Sequence, residues 1–192
     1  MTGSDKNMKT LEHKNRGVTL IEILVVISVF SIFITSVTSL FASAMKEQRK
    51  SLDKAYLLNQ GSFTAEYVSR ALRMVQKDST GACITAGLNY QITRGRNGIR
   101  FLNYRPGINC QEFYLENGKI KVEKFGIPQD LTPDGLSIES LNFSVSGQDQ
   151  SDGLQGKVTF TWQLRSTGLS VQDLKLQTTV SQRELDTKIN IP

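Results

Sequence analysis

From Ile23 to Met45 the chain carries no charged residue and no proline. Wound as an α-helix at ~1.5 Å per residue, this run spans roughly 34 Å, enough to cross a bilayer. Its first half is dense in Ile, Leu, Val and Phe. The second half adds Ser31, Thr35, Ser36, Thr38, Ser39 and Ser43, hydroxyls that either bond back to helix carbonyls or reach neighbouring helices. A helical period continues beyond the run. Phe63, Tyr67, Val68, Ala71, Leu72 and Val75 fall on one side, and Glu66, Arg70, Arg73 and Lys77 on another, the pattern of a half-buried helix. Glu66 precedes Arg70 by four, the favourable order for a surface pair. Gly61-Ser62 is a candidate bend and Gly81 a candidate C-terminal stop. Unbroken from Val18 to Lys77, such a helix is on the order of 90 Å long.

After Cys83 the period changes to two. Tyr90–Thr93 and Ile99–Tyr104 flank Arg94-Gly-Arg-Asn-Gly98, and Glu112–Leu115 and Lys119–Phe125 flank Glu116-Asn-Gly118. Both linkers hold Asn-Gly, a hairpin signal. Pro128, Pro133 and Asp134-Gly135 read as a loop. Leu136–Val145, Val158–Leu164 and Leu174–Val180 then read as strands, with Gly147–Gly156 as a polar turn. One long helix followed by an antiparallel meander is an α+β layout, with the helix on one face of the sheet.

Glu22 disturbs this pattern. It stands at the start of the apolar run, where a lone carboxylate costs several kcal/mol. Just before it come Lys14, Arg16 and Gly17. A secretory signal peptide fits poorly: the apolar core is too long, and no small-x-small site follows it before Lys46–Lys50. Orientation is not decided by charge, because Lys and Arg flank both ends of the run.

Residues Arg16-Gly-Val-Thr-Leu-Ile-Glu22, with the basic leader before and the apolar helix after, resemble the processing site of type IV prepilins and type II secretion pseudopilins. The resemblance implies cleavage between Gly17 and Val18 by a membrane-embedded prepilin peptidase, N-methylation of Val18, and an assembly role for Glu22. Val18 departs from the family's usual Phe or Met. Many major pilins carry a kinking proline near the position of Ser39, and this chain has none before Pro106. The implied fold is type IV pilin-like: a long N-terminal helix, its first half membrane-spanning, packed on a C-terminal antiparallel β-sheet. The implied division is a cytoplasmic leader (1–17), a transmembrane and filament-core helix (18–45), an amphipathic continuation (46–81) and an extracytoplasmic β-rich domain (82–192). The implied partners are prepilin peptidase, other pilin or pseudopilin subunits, an inner-membrane assembly platform and membrane lipid. The helix end Ser69–Asp78 and the closing strand Leu174–Arg183 resemble J-type minor pseudopilins and W-type minor pilins in pattern.

Composition narrows the chemistry. The only histidine is His13, within the leader, so the processed chain has none for acid–base catalysis or metal binding. No Gly-x-Ser-x-Gly elbow and no activated cysteine is evident, so no enzyme is expected. Cys83 and Cys110 are too few for a zinc site. They suit one disulfide if the domain lies outside the cytoplasm, and two buried thiols otherwise. The net charge of +5 does not by itself argue for nucleic acid. A second function class is nevertheless defined by Arg94, Arg96, Arg100 and Arg105, a candidate basic face for DNA uptake. That reading is less favoured because Tyr90, Phe101 and Tyr104 nearby suit a core. A plain membrane-anchored binding domain is the third class. No cofactor is expected; Asp149 and Asp152, in an Asp-rich turn without EF-hand spacing, are the calcium candidates.

Overall fold

The computed structural model describes residues 17–103, 109–148, 154–167 and 173–183. Residue contacts divide the chain into two units, Met1–Lys46 and Glu47–Pro192. Helix α1, Leu20–Arg73, provides the described residues of the first unit beyond Gly17–Thr19, and opens the second.

In the first unit the side chains of α1 are exposed throughout, including Ile23, Leu24, Phe30, Phe33 and Phe41. Five hydroxyls of this stretch take the first of their two options. Ser28, Ser31, Thr35 and Thr38 each donate to the carbonyl four residues earlier at 2.8 Å, and Ser36 does so at 3.0 Å. A hydroxyl satisfied within its own helix adds little cost to apolar surroundings.

The second unit holds the core. On α1 its buried stripe is Leu57, Gly61, Thr64, Val68 and Leu72, a spacing of four and three that keeps one side facing inward. Two of those positions are not hydrophobic, and Phe63, expected inside, is 61% exposed. At Gly61 the reason is closeness, since a Cβ there would lie 2.5 Å from Leu176 Cδ1; Phe63 lies off the inward stripe. The helix runs unbroken through Gly61-Ser62. It neither runs to Lys77 nor stops at Gly81. It ends at Arg73 because the next residues join a sheet: β1 (Val75–Gln76) pairs with Asn103 and Leu102. Its last carbonyls find distant donors. The Tyr90 hydroxyl donates to Leu72 O at 2.8 Å, and Arg183 N to Arg73 O at 3.0 Å, which satisfies groups that every helix end leaves open.

The remaining strands are β2 (Tyr90–Thr93), β3 (Gly98–Asn103), β4 (Asn109–Glu116), β5 (Lys119–Lys124), β6 (Ile127–Asp130), β7 (Leu136–Ser146), β8 (Lys157–Ser166) and β9 (Asp173–Ser181). They form two antiparallel sheets rather than one. The first orders β1-β3-β4-β5-β6, with β2 also on β3; the second orders β7-β8-β9. Ile138 N donates to Gly118 O at 2.7 Å and links them. Tyr67 of α1 meets Phe113 of the first sheet edge-to-face at 6.1 Å. Phe143, Phe160 and Trp162 stack in the second.

Two details differ from the sequence-based expectation. Strand β6 occupies part of the expected loop and contains Pro128, admissible because β6 is an edge strand. In β7 the buried series shifts from Leu136 and Ile138 to Leu141 and Phe143, and the register slips between Ile138 and Ser140. A bulge there adds one residue and returns Leu141 to the inner face. The α+β, pilin-like class stands: one long N-terminal apolar helix followed by antiparallel sheets.

Candidate processing and assembly site

Gly17, Val18 and Thr19 precede the helix and are exposed. Among the described residues nothing beyond its chain neighbours lies within 4 Å of where a Gly17 Cβ would be, and Val18 is 63% exposed. The Gly17–Val18 peptide is thus outside the hydrogen-bonded ladder and sterically open, as a peptidase substrate needs. Thr19 caps the helix. Its carbonyl accepts from Glu22 N at 3.1 Å and from Ile23 N at 3.3 Å, and its hydroxyl accepts from Glu22 N at 3.4 Å. Thr19-x-x-Glu22 is the spacing of a capping box. Glu22 sits in the first turn, where the helix dipole favours a negative charge. Two of the three expected residues, Gly17 and Val18, therefore lie in accessible chain before the helix, and the third lies on its first turn.

Residues 13–38 match the prokaryotic N-terminal methylation motif. The chain carries a prepilin-type N-terminus. No curated protein matches the chain, and no solved structure does. The prepilin-type segment and the exposed apolar helix after it point together to a single-pass membrane anchor, and they support the pilin and pseudopilin family.

The other expected sites meet different fates. Cys83 and Cys110 form a disulfide, with Cα atoms 5.4 Å apart. Closing that loop is worth about 3–4 kcal/mol in the chain-entropy account, whose mechanism is disputed. Of the candidate basic face, Arg96 is exposed, while Arg94 and Arg100 pair with an acid. Arg94 Nε donates to Glu112 Oε1 at 3.2 Å, and Arg100 donates to Glu112 Oε2 through Nε at 3.0 Å and Nη2 at 2.5 Å. The Arg94 guanidinium also lies 3.7 Å over the Tyr114 ring. Tyr90 and Phe101 are core residues, in keeping with the strand pattern around them. Tyr104, Arg105, Asp149 and Asp152 lie outside the described residues, as do 1–16 of the leader.

Two buried carboxylates escape sequence reasoning. Glu112 is 2% exposed. Burial pushes its pKa up, but the Thr93 hydroxyl at 2.8 Å and the two guanidinium groups outweigh that and hold it below the usual carboxylate range. Gly98 makes room for it, since a Cβ there would lie 2.4 Å from Thr93 Oγ1. Asp78 is 1% exposed. Its Oδ1 accepts from the N–H groups of Thr80, Gly81 and Ala82 and from the Thr80 hydroxyl; its Oδ2 accepts from the N–H groups of Cys83 and Ile84. The Ile84 hydrogen bond does most to hold its pKa far below the ordinary value; burial opposes, and the Cys83, Gly81 and Ala82 bonds add to the lowering. Asp78-x-Thr-Gly carries a turn signal that could have pointed to it. Glu112 has no such local sign: its partner Arg100 becomes its neighbour only through the β3–β4 register.

Proposed function

We propose that this protein is a minor pilin or pseudopilin: a precursor cut between Gly17 and Val18, methylated on Val18, and assembled into a type IV pilus or a secretion-type pseudopilus. The observation that carries the reading is the exposed Gly17–Val18 segment before Thr19, which caps the helix, with Glu22 on the first turn of a helix whose apolar residues from Leu20 to Met45 are all exposed. Cleavage would give Val18 a positive amine beside apolar surroundings. That cation and the Glu22 carboxylate are each costly alone, and pairing between neighbouring subunits would offset both and set axial register. Repeated packing of one such helix against the next in a heterologous arrangement builds an open filament. The subunit would contribute structure rather than catalysis. Its partners would be prepilin peptidase, fellow subunits and the membrane assembly platform, with its β-rich domain outside the cytoplasm.

The DNA-uptake reading is weaker, because the charges of Arg94 and Arg100, although 42% exposed, are already paired with the buried Glu112 carboxylate. The test is the intact mass of membrane-extracted protein made with and without prepilin peptidase. Loss of residues 1–17 plus one added methyl, only with the peptidase, is expected. An unprocessed chain under both conditions would leave a plain anchored domain.

A further inference from the structure

We infer that Arg49, Lys50 and Lys54 bind the phosphate groups of anionic phospholipids on the side of the bilayer opposite the leader. The inference rests on the proposed membrane anchor and adds a ligand class to it.

The first observation is position. Helix α1 covers roughly 39 Å between Leu20 and Met45, close to the ~40–45 Å of a bilayer with its headgroup layers included. Arg49 follows Met45 by four residues, so the chain keeps it within about 14 Å of the end of the apolar run even if fully extended. The second is exposure. Arg49 and Lys54 are exposed and Lys50 is half-buried, and the core begins only at Leu57. Lys50 and Lys54 are four apart and share a side of the helix, with Arg49 adjoining. The third is company. Leu52, between Lys50 and Lys54, and Tyr56, just beyond Lys54, are 62% and 45% exposed, and a tyrosine with an apolar body and a polar tip suits the membrane–water boundary.

The fourth is charge. Lys50 Nζ pairs with Glu47 at 2.8 Å across exposed side chains, a contact weak enough to yield to phosphate. Basic residues beyond a span work against the orientation that basic residues before it favour. These three therefore give no orientation advantage, and an anionic headgroup supplies the compensation. An arginine fork and two ammonium groups are the donors that phosphate takes.

The test uses the full chain and the variant R49Q/K50Q/K54Q, each reconstituted in phosphatidylcholine vesicles holding a minority of phosphatidylglycerol. Protein is extracted in detergent, and the retained lipids are measured by mass spectrometry. Wild type is expected to retain phosphatidylglycerol about fivefold or more above its bulk share, and the variant clearly less, since only Lys46 and the leader's basic residues remain beside the span. Bulk composition on wild type, or equal enrichment on the variant, overturns the inference. Alkaline carbonate separates the two levels: a chain washed off the vesicles refutes the anchor itself, whereas an inserted chain without lipid preference refutes only the headgroup site. Circular dichroism of the variant checks that its helix is retained.

Discussion

Asp78 shows how one buried charge can organise a loop. Its two oxygens collect five backbone N–H groups and a hydroxyl just before Cys83. Replacement by Asn keeps an oxygen on one side but sets an NH2 group against donors on the other. Orphaning buried donors costs about 1–3 kcal/mol each, so Asp78→Asn is expected to lower unfolding stability by about 3 kcal/mol in denaturant titration. The pH dependence has a definite sign. The folded carboxyl holds its proton less tightly than the unfolded one, so its stabilisation is complete above the unfolded pKa near 4 and is lost as pH falls further. The decline of wild-type stability below about pH 4 is therefore expected to be shallower in Asp78→Asn; parallel curves would show that the cradle is not what acid disrupts. Glu112 is the second such hub, a carboxylate only 2% exposed that takes hydrogen bonds from Thr93, Arg94 and Arg100. Glu112→Gln is expected to cost about 2 kcal/mol. Arg100→Gln added to it is expected to cost little more, because the two changes remove one shared interaction. Full additivity in a double-mutant cycle would refute the hub.

At the scale of elements, the sequence displays what is periodic and local. The apolar run, the Asn117-Gly118 hairpin and the strands β7, β8 and β9 all follow from spacing. Asn117 and Gly118 have φ of 52° and 71°, the positive pair that a two-residue hairpin demands. What stays hidden depends on contacts between distant residues. The Asn97-Gly98 signal indicates the right hairpin but the wrong turn: the positive φ values fall on Arg94, Gly95 and Arg96, while Gly98 already pairs with Thr93 in the ladder. The end of α1 is not legible because Val75 fits a helical stripe as well as a strand. Its fate is decided by β3, which is remote in sequence. Phe63 defies its pattern because the inward stripe runs through Leu57, Gly61, Thr64, Val68 and Leu72, and Phe63 lies about 200° around the helix from Gly61. Gly61 is the position where the neighbouring sheet leaves least room. Gly61→Ala is expected to be near neutral, since the flexible end of Leu176 can move and the helix gains about 1 kcal/mol of propensity. Gly61→Leu is expected to lower stability by about 1–3 kcal/mol through overpacking against Leu164 and Leu176. Equal melting temperatures for all three forms would show that the close approach has no energetic consequence.

For the whole molecule, the two units divide the work differently in sequence and in space. The β-rich unit needs its register and its disulfide to bring Glu112, Arg100 and Asp78 into place, so its interior is legible only in outline from spacing. The processing segment needs almost nothing from the rest of the chain. Its residues are contiguous, and this is why Gly17, Val18 and Glu22 can be proposed for these roles from the sequence alone. The folded geometry adds an ambiguity of mechanism at Glu22. With Thr19 it has the spacing of a capping box, so its value could lie in starting the helix rather than in meeting a neighbour's amine. Glutamine separates these roles, because it satisfies a capping box but carries no charge. If the proposed intersubunit pair holds, Glu22→Ala and Glu22→Gln both remain membrane-inserted and both are cleaved after Gly17. Both then lose about tenfold or more of their incorporation into filaments, since an unpaired ion near the bilayer costs several kcal/mol. If Glu22 acts only as a cap, Glu22→Gln assembles as wild type does and Glu22→Ala alone is impaired. Quantifying the sheared filament fraction against the carbonate-resistant membrane fraction for the three forms decides it, and normal assembly of the glutamine variant would remove the charge pair from the account of assembly.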